Sequence, residues 1–228
     1  MNVLDKIMTL WAWAPLILTG FALNVAMSFA AVILGTASGT LLGIMQISHV
    51  EFVRRCARVI TELFRNAPTL VMLFMCMFLI PFEMKVGSVT LVFPGWAKAI
   101  LGLALSKMGY VSEIVRGGLQ SVPSTQWEAA EAMGFSRRDT LWKIIIPQCV
   151  KRMLPPWMNT VAILTMASPL AGILGVEEAL SMTRSAVASA GPDMMAPFYL
   201  LLLAIFFLYT YPISAWVDKL ERRYQYQA

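Results

Sequence analysis

Apolar residues in this chain run in long blocks, and most charged residues are gathered between the blocks. From Ile7 to Ser48 there is no Asp, Glu, Lys or Arg. That run far exceeds the roughly 7 to 15 apolar residues of a secretory signal core, so it is expected to be retained as a membrane anchor. A membrane-spanning helix needs about 20 predominantly apolar residues at about 1.5 Å each. By that criterion five spans are predicted over residues 21–47, 59–81, 96–116, 153–176 and 194–217. Trp11, Trp13 and Pro15 precede the first in a segment suited to the membrane interface. Between the third and fourth spans, residues 117–150 form a loop too long and too patterned for a simple connector. Low-complexity linkers and long-period repeats are absent from the sequence.

Composition agrees with this pattern. Of 228 residues, 58% are hydrophobic and 14% charged, against about 45 to 50% and about 25% in soluble domains. An ordinary soluble globule is excluded, and residues 1–228 read as a single all-α membrane domain embedded in the lipid bilayer. The net charge of +5 would raise nucleic-acid binding in a soluble protein; here it reads as a topology signal, and no nucleic-acid partner is expected. Lys6, Lys85, Lys98 and Arg184 fall on one side, and Lys107 lies inside the third span. The other Lys and Arg residues lie in the segments that follow spans one, three and five, which places the N-terminus outside and the C-terminus in the cytoplasm.

Cys56, Cys76 and Cys149 lack metal-site spacing and read as free thiols. His49 is the single histidine, so neither a metal site nor a histidine proton relay is expected, and the scattered methionines read as packing. Gly35, Gly39 and Gly43 recur every four residues and form a stripe for close helix approach. Asn24, Asn66 and Ser168 are polar positions that either face a cavity or bond neighbouring helices.

Residues 117–150 carry explicit helix punctuation. Thr125 to Glu128 reads as a capping box that opens a helix over residues 126–133, and Gly134 suits the left-handed position past its end. Ser136 to Asp139 reads as a second box, starting a helix that should stop near Pro147. Gln126, Ala129, Ala130 and Met133 fall on one shallow face suited to another protein's groove.

Glu128, Ala129, Ala130, Gly134 and then Ile144 to Pro147 resemble, at matching spacing throughout, the EAA motif of ABC importer permeases, with Ile146 where the family usually has Leu. Nearly the whole chain resembles the polar amino acid uptake branch of that family. Phe64 to Leu70, Tyr110 to Gly118, Val122, Pro123, Asn159, Gly175, Val176, Glu178 and Leu220 to Arg223 all match its pattern. The resemblance implies a type I importer permease of the bacterial inner membrane, translocating an amino acid or a related compound such as an opine. It further implies a second permease subunit, two cytoplasmic ATPase subunits and an extracytoplasmic solute-binding protein. No GxxxxGK[ST] phosphate loop occurs, so this chain is expected to be no enzyme and to bind no cofactor, with ATP and Mg2+ held by the partner ATPases. Gln126, Glu128, Ala129, Ala130, Met133 and Gly134 are then the residues expected to couple those ATPases to transport.

One stretch departs from the family. Where its members usually carry Lys-Asp-Thr-Ser-Leu, this chain has Met166, Ala167, Ser168, Pro169 and Leu170. Charge-based recognition of substrate there is not expected in this subunit, which favours a heterodimer whose sibling supplies it. Pro169 should interrupt the fourth helix and free carbonyls that can line a site. Lys107, deep in the third span, is the counterweight: a cation there usually meets a cavity, a partner or a substrate. Lys107, Asn24, Asn66, Met166, Ser168 and Pro169 are the candidate pathway residues. An autonomous carrier would call for an inverted repeat or an intramembrane acid–base chain, and an intramembrane enzyme for a catalytic set; neither is found in the sequence.

Overall fold

A computed structural model describes residues 2–86 and 89–225. The helices are α1 (Val3–Met45), α2 (Glu51–Asn66), α3 (Thr69–Leu79), α4 (Gly95–Gln120), α5 (Ser124–Ala132), α6 (Arg137–Asp139), α7 (Ile146–Ala167), α8 (Ala179–Ala190) and α9 (Met195–Gln225). A π-helical turn, Thr140–Ile145, joins α6 to α7, and 3-10 turns at Ser168–Leu174 and Pro192–Met194 precede α8 and α9. Strands β1 (Glu83–Val86) and β2 (Val89–Val92) form an antiparallel hairpin with Met84 opposite Leu91 and Lys85 opposite Thr90. The hairpin is an addition to the all-helical expectation.

Among the described residues three helical segments are long and apolar enough to cross a membrane: Val3–Met45, Arg137–Leu174 and Pro192–Leu220. A fourth is possible if α2 and α3 count as one broken span, since they meet at a bend of 102°. The first segment is longer than expected. The segment with Trp11 and Trp13 is continuous with residues 21–45 of the first expected span in one 43-residue helix, about 65 Å long, against a hydrocarbon core of about 30 Å. The straight helix expected over 59–81 is corrected more sharply. Pro68 forces Ala67 into extended backbone, ψ 132°, because the proline ring clashes with a helical predecessor. The remaining 11 residues of α3 reach only about 16 Å. Helix α4 is long enough, but it carries Lys98, Lys107, Glu113 and Arg116, which lower its apolar character.

The glycine stripe of α1 lies on α4. A Cβ at Gly35 would stand 2.7 Å from Lys107 Cβ, at Gly39 2.7 Å from the Met108 carbonyl, and at Gly43 2.7 Å from the Ser112 carbonyl. The two helices therefore run parallel with their backbones almost touching. Met27 and Ala31 of α1, Leu73 of α3, Leu103 of α4 and Leu164 of α7 close one core beside that seam. Ile17, Ala179, Met194 and Phe198 close a second, between α1, α8 and α9.

Candidate coupling segment and buried polar residues

Helix α5 begins at Ser124, with Pro123 at its N-cap and no side-chain cap. The expected Thr125 to Glu128 capping box is therefore absent. Proline has its φ already set for a helix entrance, so the helix starts immediately after Pro123 and Thr125 lies inside it. The C-terminal end follows the expectation. Gly134 adopts φ +79°, its N–H bonds Glu131 O at 2.9 Å, and the Phe135 N–H bonds Ala130 O at 3.0 Å. That pair of bonds is a Schellman closure.

Ser136 then caps α6. Its Oγ accepts the Asp139 N–H at 3.2 Å and donates to Asp139 Oδ2 at 2.6 Å. Lys143 Nζ lies 2.6 Å from Asp139 Oδ1. The Lys143 ammonium and the Ser136 hydroxyl hold this carboxyl below the ordinary carboxylate range.

The stop expected near Pro147 does not occur, and the helix runs on into α7. Through the π-helical turn the Ile146 N–H bonds Leu141 O, five residues back. Pro147 then sits in the first turn of α7, where its missing donor is tolerated. The segment is consequently continuous with the long helix beyond it. Val122, Ile145 and Cys149 are buried beneath, with Trp127 and Met153 packed against them. Arg152 Nη1 donates to Ser121 O at 2.6 Å, tying the helix to the start of the loop.

On this base the candidate coupling residues divide. Gln126, Glu128, Ala129, Met133 and Gly134 are exposed, Met133 at 66%. Ala130 is fully buried, so it seats α5 on its own chain and the outward face lacks it. Phe135 and Trp142, which the sequence pattern did not single out, are also exposed.

The candidate pathway residues do not converge. Asn24 and Ser168 do meet, Asn24 Nδ2 donating to Ser168 Oγ at 3.0 Å and to Glu178 Oε2 at 3.1 Å. Asn24 Oδ1 accepts the Ala179 N–H at 3.0 Å. Glu178 caps α8, accepting the Leu180 N–H at 2.9 Å and the Ser181 N–H at 2.8 Å. All three residues are buried. This satisfied knot binds α1 to the 3-10 turn and α8; Glu178 was legible only as a family marker. Pro169 stands where the α-helix gives way to that turn. Asn66 is exposed at the end of α2 and bonds the Glu62 carbonyl at 2.8 Å, and Met166 is 52% exposed.

Helix α4 buries two lysines with opposite outcomes. Lys98, expected outside the third span's apolar core, is 1% exposed. Its ammonium lies 3.2 Å from the centre of the Phe82 ring and 3.4 Å from Met77 O, a cation–π contact. Lys107 is 2% exposed, and its Nζ has no hydrogen-bond partner among the described residues. A further polar cluster joins α1, α2 and α4: Gln46 Nε2 donates to Thr61 Oγ1 at 3.0 Å and to Ser112 Oγ at 2.9 Å, and Glu113 pairs with Arg116 at 2.7 Å and Arg65 at 3.5 Å. An apolar cavity of about 390 Å³ lies between α1, α7 and α9, lined by Val25, Phe29, Trp157, Val161 and Tyr209 among others. Among the described residues no group of three or more His, Cys, Asp or Glu is placed to hold a metal.

Known proteins resemble this chain in sequence and fold. The chain is 30% identical over 187 residues to the inner membrane amino-acid ABC transporter permease protein YhdY of Escherichia coli, covering 82% of this chain but 50% of that protein. It is 31% identical over 173 residues to the octopine transport system permease protein OccM of Rhizobium radiobacter, covering 74% and 70%. A crystal structure of an amino acid ABC transporter with histidines superposes with a TM-score of 0.82 at 25% identity, covering 98% of this chain and 99% of that one. Residues 35–226 match the family described as binding-protein-dependent transport system inner membrane component, and the chain belongs to that family, the membrane-spanning permease subunits of ATP-driven importers.

Proposed function

We propose that this subunit carries an amino acid or a related compound, such as an opine, across the bacterial inner membrane, and that its coupling segment is the docking site for a cytoplasmic ATPase. The single observation that carries the coupling role is the construction of α5. It is a nine-residue helix closed by Gly134 and seated on Ala130, with Ala129 and Met133 facing outward. The segment after it is continuous with the long α7, so motion of a docked partner is delivered to the membrane helices as a rigid-body displacement. Gln126, Glu128, Ala129, Met133 and Gly134 form the docking side, and Ala130 holds the helix in place.

In this reading residues 1–228 form one permease domain that crosses the membrane five times, with the N-terminus outside and the C-terminus in the cytoplasm. The second crossing is made by α3 and the chain that follows it, with α2 before the break outside the crossing, and α4 is the third. The distribution of Lys and Arg supports the orientation. Two ATPase subunits holding ATP and Mg2+, a solute-binding protein and a sibling permease complete the importer. The uncharged stretch from Met166 to Leu170 favours a sibling of different sequence. Lys107 is the subunit's cation for a substrate carboxylate, supported by its burial with no hydrogen-bond partner among the described residues; of the other candidates Met166 and Pro169 border the path, while Asn24 and Ser168 brace it from the buried knot and Asn66 stands apart at the end of α2.

Gly134→Val and Met133→Asp test the coupling role in the complex purified from its native operon. The expected result is ATP hydrolysis that no longer responds to substrate-loaded binding protein, or loss of the ATPase on purification. Wild-type stimulation and uptake in both variants would overturn it.

A further inference from the structure

Helix α2 turns an apolar face away from the rest of the chain. Ala57 and Thr61 are its buried residues, and Thr61 Oγ1 meets Ser112 Oγ of α4 at 2.9 Å, which marks the side packed on protein. At about 100° per residue, Phe52, Val59 and Leu63 fall on the opposite side, where they are 76%, 65% and 62% exposed. The sector between is polar and holds Arg54, Arg55 and Arg58 with Glu51 and Glu62. Arg54 is drawn back to the Ser48 carbonyl at 3.3 Å, and Arg65, at the end of the helix, to Glu113. Arg55, paired with Glu51 within the helix, and Arg58 are exposed.

The bend of 102° before α3 gives these sectors a meaning. If α3 enters the bilayer, α2 lies near the membrane plane, with protein on one flank, acyl chains against Phe52, Val59 and Leu63, and headgroups or water against the arginines. A basic polar face beside a Phe- and Leu-bearing apolar face is the pattern of a helix resting in the membrane interface. A lipid leaflet, with its apolar layer and anionic layer side by side, complements both faces where α2 leaves the membrane helix α3.

We propose that α2 lies on the cytoplasmic membrane surface and binds anionic phospholipid headgroups through Arg55 and Arg58, with Phe52, Val59 and Leu63 in the acyl boundary. This rests on the orientation proposed above. The test uses the complete complex, its native cysteines replaced by serine, in vesicles of phosphatidylcholine with or without phosphatidylglycerol. Nitroxide labels are placed singly through Phe52→Cys, Arg55→Cys, Arg58→Cys, Val59→Cys and Leu63→Cys. Oxygen collisions are expected to dominate at 52, 59 and 63, and collisions with a water-soluble nickel chelate at 55 and 58. A label at Val59→Cys is also expected to report enrichment of phosphatidylglycerol over phosphatidylcholine. The double substitution Arg55→Gln with Arg58→Gln should cut that enrichment by up to about twenty-five-fold, at about fivefold per arginine near an anionic surface.

Nickel access at 52, 59 and 63 would overturn the proposal by placing the helix off the membrane. Equal protection at all five positions would do so by placing it against another subunit, and equal retention of the two lipids by removing headgroup binding. Reaction of Arg58→Cys with an impermeant thiol reagent added outside intact cells would instead overturn the orientation, whatever the lipid contact.

Discussion

Replacing Lys107 with methionine separates two consequences of its position. The residue is 2% exposed, and its ammonium is without an acceptor among the described residues. A lysine at the centre of a membrane helix is disfavoured by about 2.5 to 3.5 kcal/mol on insertion scales. Methionine keeps the Cβ and Cγ that pack on Gly35 and is flexible enough to fill the remaining space. Removing the charge is therefore expected to stabilise the subunit by roughly 2 to 3 kcal/mol, while uptake driven by the binding protein falls if Lys107 receives a substrate carboxylate. Stability is measured on the purified complex by denaturant or thermal unfolding, and uptake in vesicles loaded with ATP. A less stable Lys107→Met variant would refute the unpartnered-cation account. Unchanged apparent affinity and rate of uptake would refute the substrate role and leave Lys107 as a structural lysine.

Further outcomes follow from the seam, the buried knot and the loop. Gly39→Val sets a Cβ 2.7 Å from the Met108 carbonyl and must part α1 from α4; a loss of about 1 to 3 kcal/mol is expected, read as a lower unfolding midpoint, and a neutral effect would show that the seam is loose. Glu178→Gln replaces an acceptor-only cap with an amide that cannot take the Asn24, Leu180 and Ser181 donors together, so a loss of about 1 to 3 kcal/mol should appear as reduced yield and faster proteolysis around α8. The Asp139 carboxyl has a folded pKa below its ordinary value. Its support of the α6 start is therefore present above the ordinary carboxylate range and lost as pH falls through the lowered value. Hydrogen exchange at Thr140 and Leu141 should rise over that acid window in the wild type and show no such step in Asp139→Asn.

Much of the loop was legible because its signals are local. Gly134 and Ser136 act within a few residues of themselves, and both behave as their residue types dictate. The Thr125 box failed because a competing local signal, Pro123, started the helix first. The stop expected at Pro147 failed for a subtler reason. A proline ends a helix only if the bond it removes is needed, and the π-helical turn shifts the ladder so that it is not. In the second span the proline at position 68 was visible, but an apolar run says nothing about the angle at which two short helices leave a break.

The sequence by itself determined that the chain lives in a bilayer, where its long apolar runs begin and end, that three glycines line one helix face, and that its loop resembles the coupling motif of importer permeases. These follow from composition, period and spacing, which depend on neighbours in the chain. Tertiary structure alone decided which partner each polar residue meets. Asn24, Ser168 and Glu178 are distant in sequence yet share one buried set of hydrogen bonds, while Lys98 finds an aromatic face and Lys107, nine residues on in the same helix, finds no hydrogen-bond acceptor among the described residues. A buried polar group is defined by what other segments bring to it, and one-dimensional pattern carries no record of that encounter.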